Sequence, residues 1–193
     1  MSSRDLILNK IRESNCVEEV PLPIIEDFGI TFENKIEKFQ EVIQTVGGVA
    51  IQSDVNNLDS IIKELYPTAE LIASNVEECT LGNFNANEEE NPHELKKLDL
   101  AVVKGEFAVA ENGAVWIKNV DNRHRVLYFI AQNIVIIVNK NDIVHNMHEA
   151  YEKINFEQAG YGVFVSGPSK TADIEQSLVI GAHGPKSGYV IFV

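Results

Sequence analysis

The run Thr31-Phe32-Glu33-Asn34-Lys35-Ile36-Glu37-Lys38-Phe39-Gln40-Glu41-Val42-Ile43-Gln44-Thr45-Val46-Gly47-Gly48-Val49-Ala50-Ile51 sets the structural class of this chain. Phe32, Ile36, Phe39, Ile43 and Val46 recur at spacings of four, three, four and three, the period of one buried helical face. Thr31 is the expected cap, Gly47-Gly48 the expected stop, and Val49-Ala50-Ile51 the short apolar strand that follows. The alternation then recurs. Asn56 or Asn57 is expected to cap a helix carrying Leu58, Ile61, Ile62 and Leu65, Pro67 ends it, and Glu70 to Ala73 reads as the next strand. Helices alternating with short buried strands predict an α/β chain in which helices cover the faces of a sheet.

Upstream, Leu6, Ile7 and Ile11 share one face of a short helix over residues 3–14, capped by Ser2 or Ser3, and Pro21 and Pro23 force an extended connector. Downstream, Leu100 to Val103 reads as a strand and Phe107 to Ile117 as a strand pair turning at Asn112-Gly113. The wholly apolar, β-branched Ile134 to Val138 belongs in the middle of the sheet. Asn141 is expected to cap a helix with Ile143, Met147, Ala150 and Ile154 inward, and Val163 to Val165 and Val190 to Val193 supply the last strands. Residues 83–94, the most polar run, read as a solvated loop in preference to an acidic binding surface. Neither a repeat nor a dividing linker is visible. One domain over residues 1–193 is expected, with 1–30 as a helical and extended arm and 31–193 as the α/β core.

The 193 residues are 45% hydrophobic and 23% charged, enough for one domain with a substantial core. Sixteen Lys and Arg against 29 Asp and Glu leave a formal charge of −13, which opposes general binding to nucleic acid or to anionic membranes. Two cysteines, Cys16 and Cys79, exclude a disulfide framework, a four-cysteine zinc site and a conventional iron–sulfur cluster in this chain. No signal-peptide core follows Met1, and the longest apolar stretch, Val126 to Val138, is broken by Gln132 and Asn133 and too short for a bilayer. The expectation is a cytoplasmic protein without membrane insertion.

Six of the twelve glycines fall in the last 34 residues, where ligand loops at strand ends are sought first. There, Ser166-Gly167-Pro168-Ser169-Lys170-Thr171 is expected to turn from a strand into a polar start. Its free N–H groups and side-chain donors suit an oxyanion. The spacing is not that of a Walker A loop, and Asp173 and Glu175 oppose a strongly anionic ligand; Ser169 or Thr171 acting as a plain cap is the competing reading. Glu111, before Asn112-Gly113, is either a turn residue or a carboxylate lifted into a cleft as base or nucleophile. His145 and His148 with Glu149 match neither zinc-peptidase pattern, so no metal is expected. His124 lies in a basic island, Arg123-His124-Arg125. His183, flanked by Gly181-Ala182 and Gly184-Pro185, is the better exposed imidazole for acid–base or ligand work.

The ending Ser166-Gly-Pro-Ser-Lys-Thr-Ala-Asp-Ile-Glu175, then Gly181-Ala-His-Gly-Pro185 and a terminal apolar strand, resembles the lactate utilisation protein C family of stand-alone LUD domains. The family pattern A-[ED]-T-G falls on Ala110-Glu111-Asn112-Gly113. The resemblance implies a three-layer α/β/α fold with a mostly parallel central sheet, similar to ribose-phosphate isomerases, glucosamine-phosphate deaminases and CoA transferases. It also implies service beside iron–sulfur partner proteins that carry the clusters in oxidising lactate to pyruvate, with no cofactor on this chain. A homo-oligomer is among the expected states. Glu111 and His183 become catalytic candidates. Asn112, Gly113, Ser166, Gly167, Pro168, Ser169, Lys170, Thr171, Asp173, Glu175 and Gly184 become candidates for holding a small carboxylate or phosphate-bearing ligand.

Two positions depart from the family. Asn112 replaces Thr, and Asn133 stands where many members have His before the central strand. The first makes Glu111-Asn112-Gly113 similar to the Glu-Asn-Gly of CoA transferases, whose Glu forms a thioester with CoA. Three function classes follow: an accessory or substrate-binding component of a lactate-oxidising assembly, an independent enzyme of the CoA-transferase or sugar-phosphate type using Glu111, or a regulatory module binding a small carboxylate.

Overall fold

The computed structural model describes residues 2–14, 29–120, 122–155, 160–172, 178–181 and 183–193. Helix α1 (Ser3–Ser14) is followed, beyond the expected proline connector that lies outside the described residues, by α2 (Lys35–Thr45) and strand β1 (Val49–Gln52). Asn34, not Thr31, caps α2: its side chain accepts from the N–H groups of Ile36 and Glu37. Gly47, with φ of 79°, ends the helix as expected. A 3-10 turn (Val55–Asn57) leads into α3 (Leu58–Leu65), and β2 is Ile72–Ser74, two residues later than the sequence suggests.

After the 3-10 helix Pro92–Lys97 come β3 (Leu100–Lys104), β4 (Phe107–Val109), β5 (Ala114–Lys118), α4 (Leu127–Ile130) and β6 (Asn133–Val138). The chain closes with β7 (Ile143–Val144), α5 (Met147–Lys153), β8 (Gly162–Val165), β9 (Lys170–Ala172), β10 (Leu178–Ile180) and β11 (Ser187–Phe192). Ile143 is therefore in a strand, not on the inner face of a helix capped by Asn141. Its β-branched neighbour Val144 pairs with Val109 of β4, and Asn146 caps α5 by accepting from the Glu149 N–H.

Five strands form a wholly parallel sheet in the order β1-β11-β6-β3-β2, with the apolar β6 in the centre. Alternating side chains of these strands serve two cores. Leu100, Val102, Val135, Ile137 and Ile191 pack with Leu58 and Ile62 of α3. Ala101, Val103, Ile134, Ile136, Val138 and Phe192 pack with Phe39 and Ile43 of α2, with Leu127 and Tyr128 of α4, and with Ala108, Val115 and Ile117. The last three belong to a second, mixed sheet in the order β7-β4-β5-β8. Strands Phe107 to Ile117 and Val163 to Val165 thus build a separate small sheet. Its far side, Phe107, Val109 and Val144, is covered by Ala150 of α5. The α/β class and the mostly parallel central sheet are as expected, and on one flank the helical cover includes this small sheet.

Helix α1 buries none of its residues, and Leu6, Ile7 and Ile11 are exposed. Most of residues 83–94 are exposed, as expected of a solvated loop, and the loop is tied to the basic island: Arg123 donates its backbone N–H to Asn87 Oδ1 at 2.8 Å, and a His124 ring nitrogen meets the Glu89 carbonyl at 2.7 Å. The basic island is thereby used within the molecule. Among the described residues no helix is long and apolar enough to cross a membrane.

Phe39 is fully buried, with its ring edge-on to Phe192 at 5.1 Å, so it joins α2 to the parallel sheet. Phe39→Ala is expected to cost about 3–5 kcal/mol in urea unfolding. A loss below about 1 kcal/mol would contradict this placement of α2.

Candidate functional site

The β4–β5 hairpin carries the first group of candidates. Val109 pairs with Ala114, so the connection spans Ala110 to Gly113 and is longer than an Asn-Gly two-residue turn. Gly113 has φ of 65°, and a Cβ there would lie 3.1 Å from the backbone of Ile43 in α2. Only glycine satisfies both conditions without strain. Asn112 Oδ1 accepts from the Ala114 N–H at 3.1 Å.

Glu111 is half-buried and points at the start of α5. Its Oε1 accepts from the Met147 N–H at 3.0 Å, and its own N–H donates to the His145 carbonyl at 3.1 Å. Glu149 Oε2 accepts from the His145 N–H at 2.8 Å on the same helix end. A carboxylate on unsatisfied helix N–H groups is a stabilising arrangement whether or not it also does chemistry. His145 Nδ1 accepts from the Phe32 N–H at 3.0 Å, which leaves the proton of the neutral ring on Nε2. Among the described residues no group of three or more His, Cys, Asp or Glu is placed to hold a metal ion.

The second group meets the first directly. Strand β8 pairs antiparallel with β5, which brings Val165 opposite Val115, and the next residue, Ser166, donates its hydroxyl to the Asn112 carbonyl at 2.9 Å. Gly167 follows with φ of 67°, and three stretches of backbone converge on it. An added Cβ at Gly48 would lie 3.0 Å from Gly167 Cα, and one at Gly188 would lie 3.1 Å from the Gly167 carbonyl carbon. Pro168 is buried beside Gly47. Ser169 donates its N–H to Pro185 and accepts from Gly181, both at 2.9 Å, and its side chain lies against Gly184. Lys170 opens β9, with Cε near Gly47, and partial burial lowers its pKa from the usual lysine value. His183 is exposed. Thr171 is placed by its backbone alone, in β9, and Asp173 and Glu175 lie outside the described residues.

The turn at Glu111 and the loop from Ser166 to Lys170, with Gly184 against Ser169, therefore form one neighbourhood. Gly48 precedes β1, and Ser187-Gly188 open β11, so this neighbourhood sits at the amino edge of the parallel sheet. The expectation of a site at strand carboxyl ends holds only for β4 and β8 of the small sheet. Part of the C-terminal glycine enrichment has a packing cause: Gly167, Gly184 and Gly188 permit backbone contact, and a Cβ at Gly162 would strike the Trp116 ring at 2.1 Å.

One polar chain at this edge has no short-range sequence signal. Tyr66 Oη lies 2.6 Å from Ser187 Oγ, Ser187 Oγ donates to Asn133 Oδ1 at 2.7 Å, and Asn133 Nδ2 donates to the Asp99 carbonyl at 2.9 Å. Because the Ser187 proton goes to Asn133, the Tyr66 proton goes to Ser187. Asn133, the departure from the family pattern, is the acceptor that orders this chain. Tyr66 and Ser187 are 121 positions apart, so only tertiary structure joins them.

Two predictions follow from these bonds. Replacing Glu111 by Ala removes an acceptor from the α5 terminus and is expected to cost about 1 kcal/mol in urea unfolding, whereas Glu111→Gln, which keeps an acceptor oxygen, costs less. Equal losses would contradict the capping role. Burial pushes Tyr66 up to about 12 from the ordinary 10.0. The folded state thus favours the neutral phenol, a contribution complete below pH 10 and lost as pH rises toward 12. Ultraviolet titration is expected to show a tyrosine ionisation near 12 that is absent in Tyr66→Phe; an unchanged titration in the variant would contradict it.

The sequence pattern of the LUD domain matches residues 4–193. A Geobacillus thermodenitrificans protein named Lactate utilization protein C is 30% identical over 165 residues, which is 79% of this chain and 65% of the relative. Proteins of the same name from Bacillus pumilus and Oceanobacillus iheyensis are 31% and 27% identical, over 62% and 78% of this chain and 52% and 74% of their own lengths. The chain thus spans about half to two thirds of the first two relatives, Bacillus pumilus at 52% and Geobacillus thermodenitrificans at 65%. Among solved structures, the crystal structure of a duf162 family protein from Deinococcus radiodurans matches with a TM-score of 0.66 at 17% identity, covering 82% of this chain and 96% of that one. That likeness concerns the fold. With the family pattern covering the chain almost end to end, the protein belongs to the LUD domain family.

Proposed function

We propose that this chain serves the oxidation of lactate to pyruvate as a small-carboxylate-binding component, beside iron–sulfur partner proteins that carry the electrons. The observation that carries the reading is the Ser166–Asn112 bond, which joins the two motif segments that the family shares into one surface at 2.9 Å. The names of the relatives supply the substrate class. Lys170, whose stem lies beside Gly47 next to the Gly167 turn, offers a cation for a carboxylate. Oxidising lactate removes two electrons and two protons, and Cys16 and Cys79 do not suffice to ligate a conventional cluster, so the electrons pass to partners. Buried Cys79 carries a free thiol, in keeping with work in the reducing cytoplasm.

The competing reading is a CoA transferase with Glu111 as nucleophile. A nucleophilic Glu111 would have to give up the Met147 N–H that its Oε1 accepts or attack through its other oxygen, and the accessory reading needs neither.

The test is reconstitution: candidate iron–sulfur partners are assayed for lactate-dependent dye reduction with and without this chain. Activity is expected to require the chain and to fall about tenfold or more with Lys170→Ala, the size of one charge-assisted contact. Full activity of the partners alone would overturn the proposal. A Glu111-dependent acyl adduct, seen by intact mass after incubation with acyl-CoA donors, would overturn it in favour of the transferase.

A further inference from the structure

The opposite, carboxyl edge of the parallel sheet holds a crevice of about 360 Å³ that the motif residues do not reach. Its position has a topological cause. The chain leaves β1 for α3 on one face of the sheet, and leaves β3 and β6 for the small sheet on the other. Loops that part in this way open a crevice at the strand ends, the usual ligand position of open α/β sheets. The volume lies within the small-molecule range.

The lining is of two kinds. Leu58, Val76, Ile137 and Val193 make an aliphatic floor. Lys104 and Glu106 stand at the rim on either side of Gly105, with Glu78 and Asp142 nearby. Gly105 is required there: its N–H donates to the Ile137 carbonyl at 2.8 Å, and a Cβ would lie 2.4 Å from Val115 Cγ1. The turn from β3 into β4 is thus held tightly, which fixes the spacing of Lys104 and Glu106. Among the described residues neither forms an ion pair within 4.0 Å, and Asp142 has only a 3.9 Å contact to Lys153.

We propose that this crevice binds a zwitterionic α-amino acid with an aliphatic side chain. Lys104 takes the α-carboxylate, Glu106 with Asp142 takes the α-ammonium, and the side chain lies on Leu58, Val76, Ile137 and Val193. A simple carboxylate meets repulsion from three acids, and a simple amine leaves Lys104 unmatched. A molecule with adjacent opposite charges and an apolar tail satisfies both. The site is separate from the proposed lactate surface.

Calorimetric titration of the full chain tests this with L-leucine and its two half-mimics, 4-methylpentanoate and 3-methylbutylamine. Saturable leucine binding is expected, with each half-mimic weaker by about tenfold or more. Lys104→Met and Glu106→Gln are each expected to weaken leucine about tenfold or more while circular dichroism stays unchanged, and Lys170→Ala to leave leucine binding intact. Absence of saturable binding would overturn the proposal. So would a half-mimic binding as well as leucine, or both rim variants binding as wild type.

Discussion

Backbone meeting backbone at Gly48, Gly167 and Gly188 is the constraint on which the amino edge depends. Side chains at any of the three would push the β8 loop off the starts of β1 and β11. With glycine at all three, the loop after β8 seats flush against the parallel sheet, and Ser166 reaches the Asn112 carbonyl. Gly113 extends the same logic to α2, where the β4–β5 turn touches the backbone of Ile43. Two sheets that share no hydrogen-bonded ladder are thereby locked at one corner, where Glu111 to Gly113 meet Ser166 to Ser169. Rigid backbone contact of this kind suits a binding surface, because a ligand then meets groups already ordered.

The helices and central strands were readable because their signals are local. The spacing from Phe32 to Val46 yields α2, and the β-branched run Ile134 to Val138 yields the middle strand, as buried parallel strands should. Cap positions were less readable: Asn34 sits three residues beyond the first candidate, and Asn146 five beyond Asn141. Membership of the small sheet was not readable, since Phe107 to Val109 has the same apolar character as a strand of the main sheet. What separates them is the Gly105 turn, whose tight contact with Val115 appears only in three dimensions.

The candidate site was legible as a set of segments but not as a place. The loops at Glu111 and Gly167 come together through pairing of β5 with β8, a contact between residues about fifty positions apart. The motif loops follow the carboxyl ends of β4 and β8 in the small sheet and so lie at the amino edge of the main one, a placement that depends on which sheet each strand joins. Glu111 shows how one residue can satisfy two readings: it stands in a turn and also reaches out of it, to the terminus of α5. The Tyr66–Ser187–Asn133 chain has no sequence signal for the same reason of distance, although Asn133 by itself departs from the pattern the chain resembles.

The two edges of the parallel sheet thus have different characters: one crowded with glycine at Gly48, Gly167 and Gly188, the other an open crevice with charges of both signs at its rim. In the proposed function, the glycine-packed amino edge receives a small carboxylate. Amide chemical-shift mapping of the isotope-labelled chain during titration with L-lactate and pyruvate tests it most directly. Perturbations are expected to gather at the amides of Gly47 and Gly48, Asn112 and Gly113, Ser166, Gly167, Ser169 and Lys170, and Gly184 and Gly188. Perturbations confined to the carboxyl edge around Lys104 and Asn139, or none at saturating ligand, would contradict it.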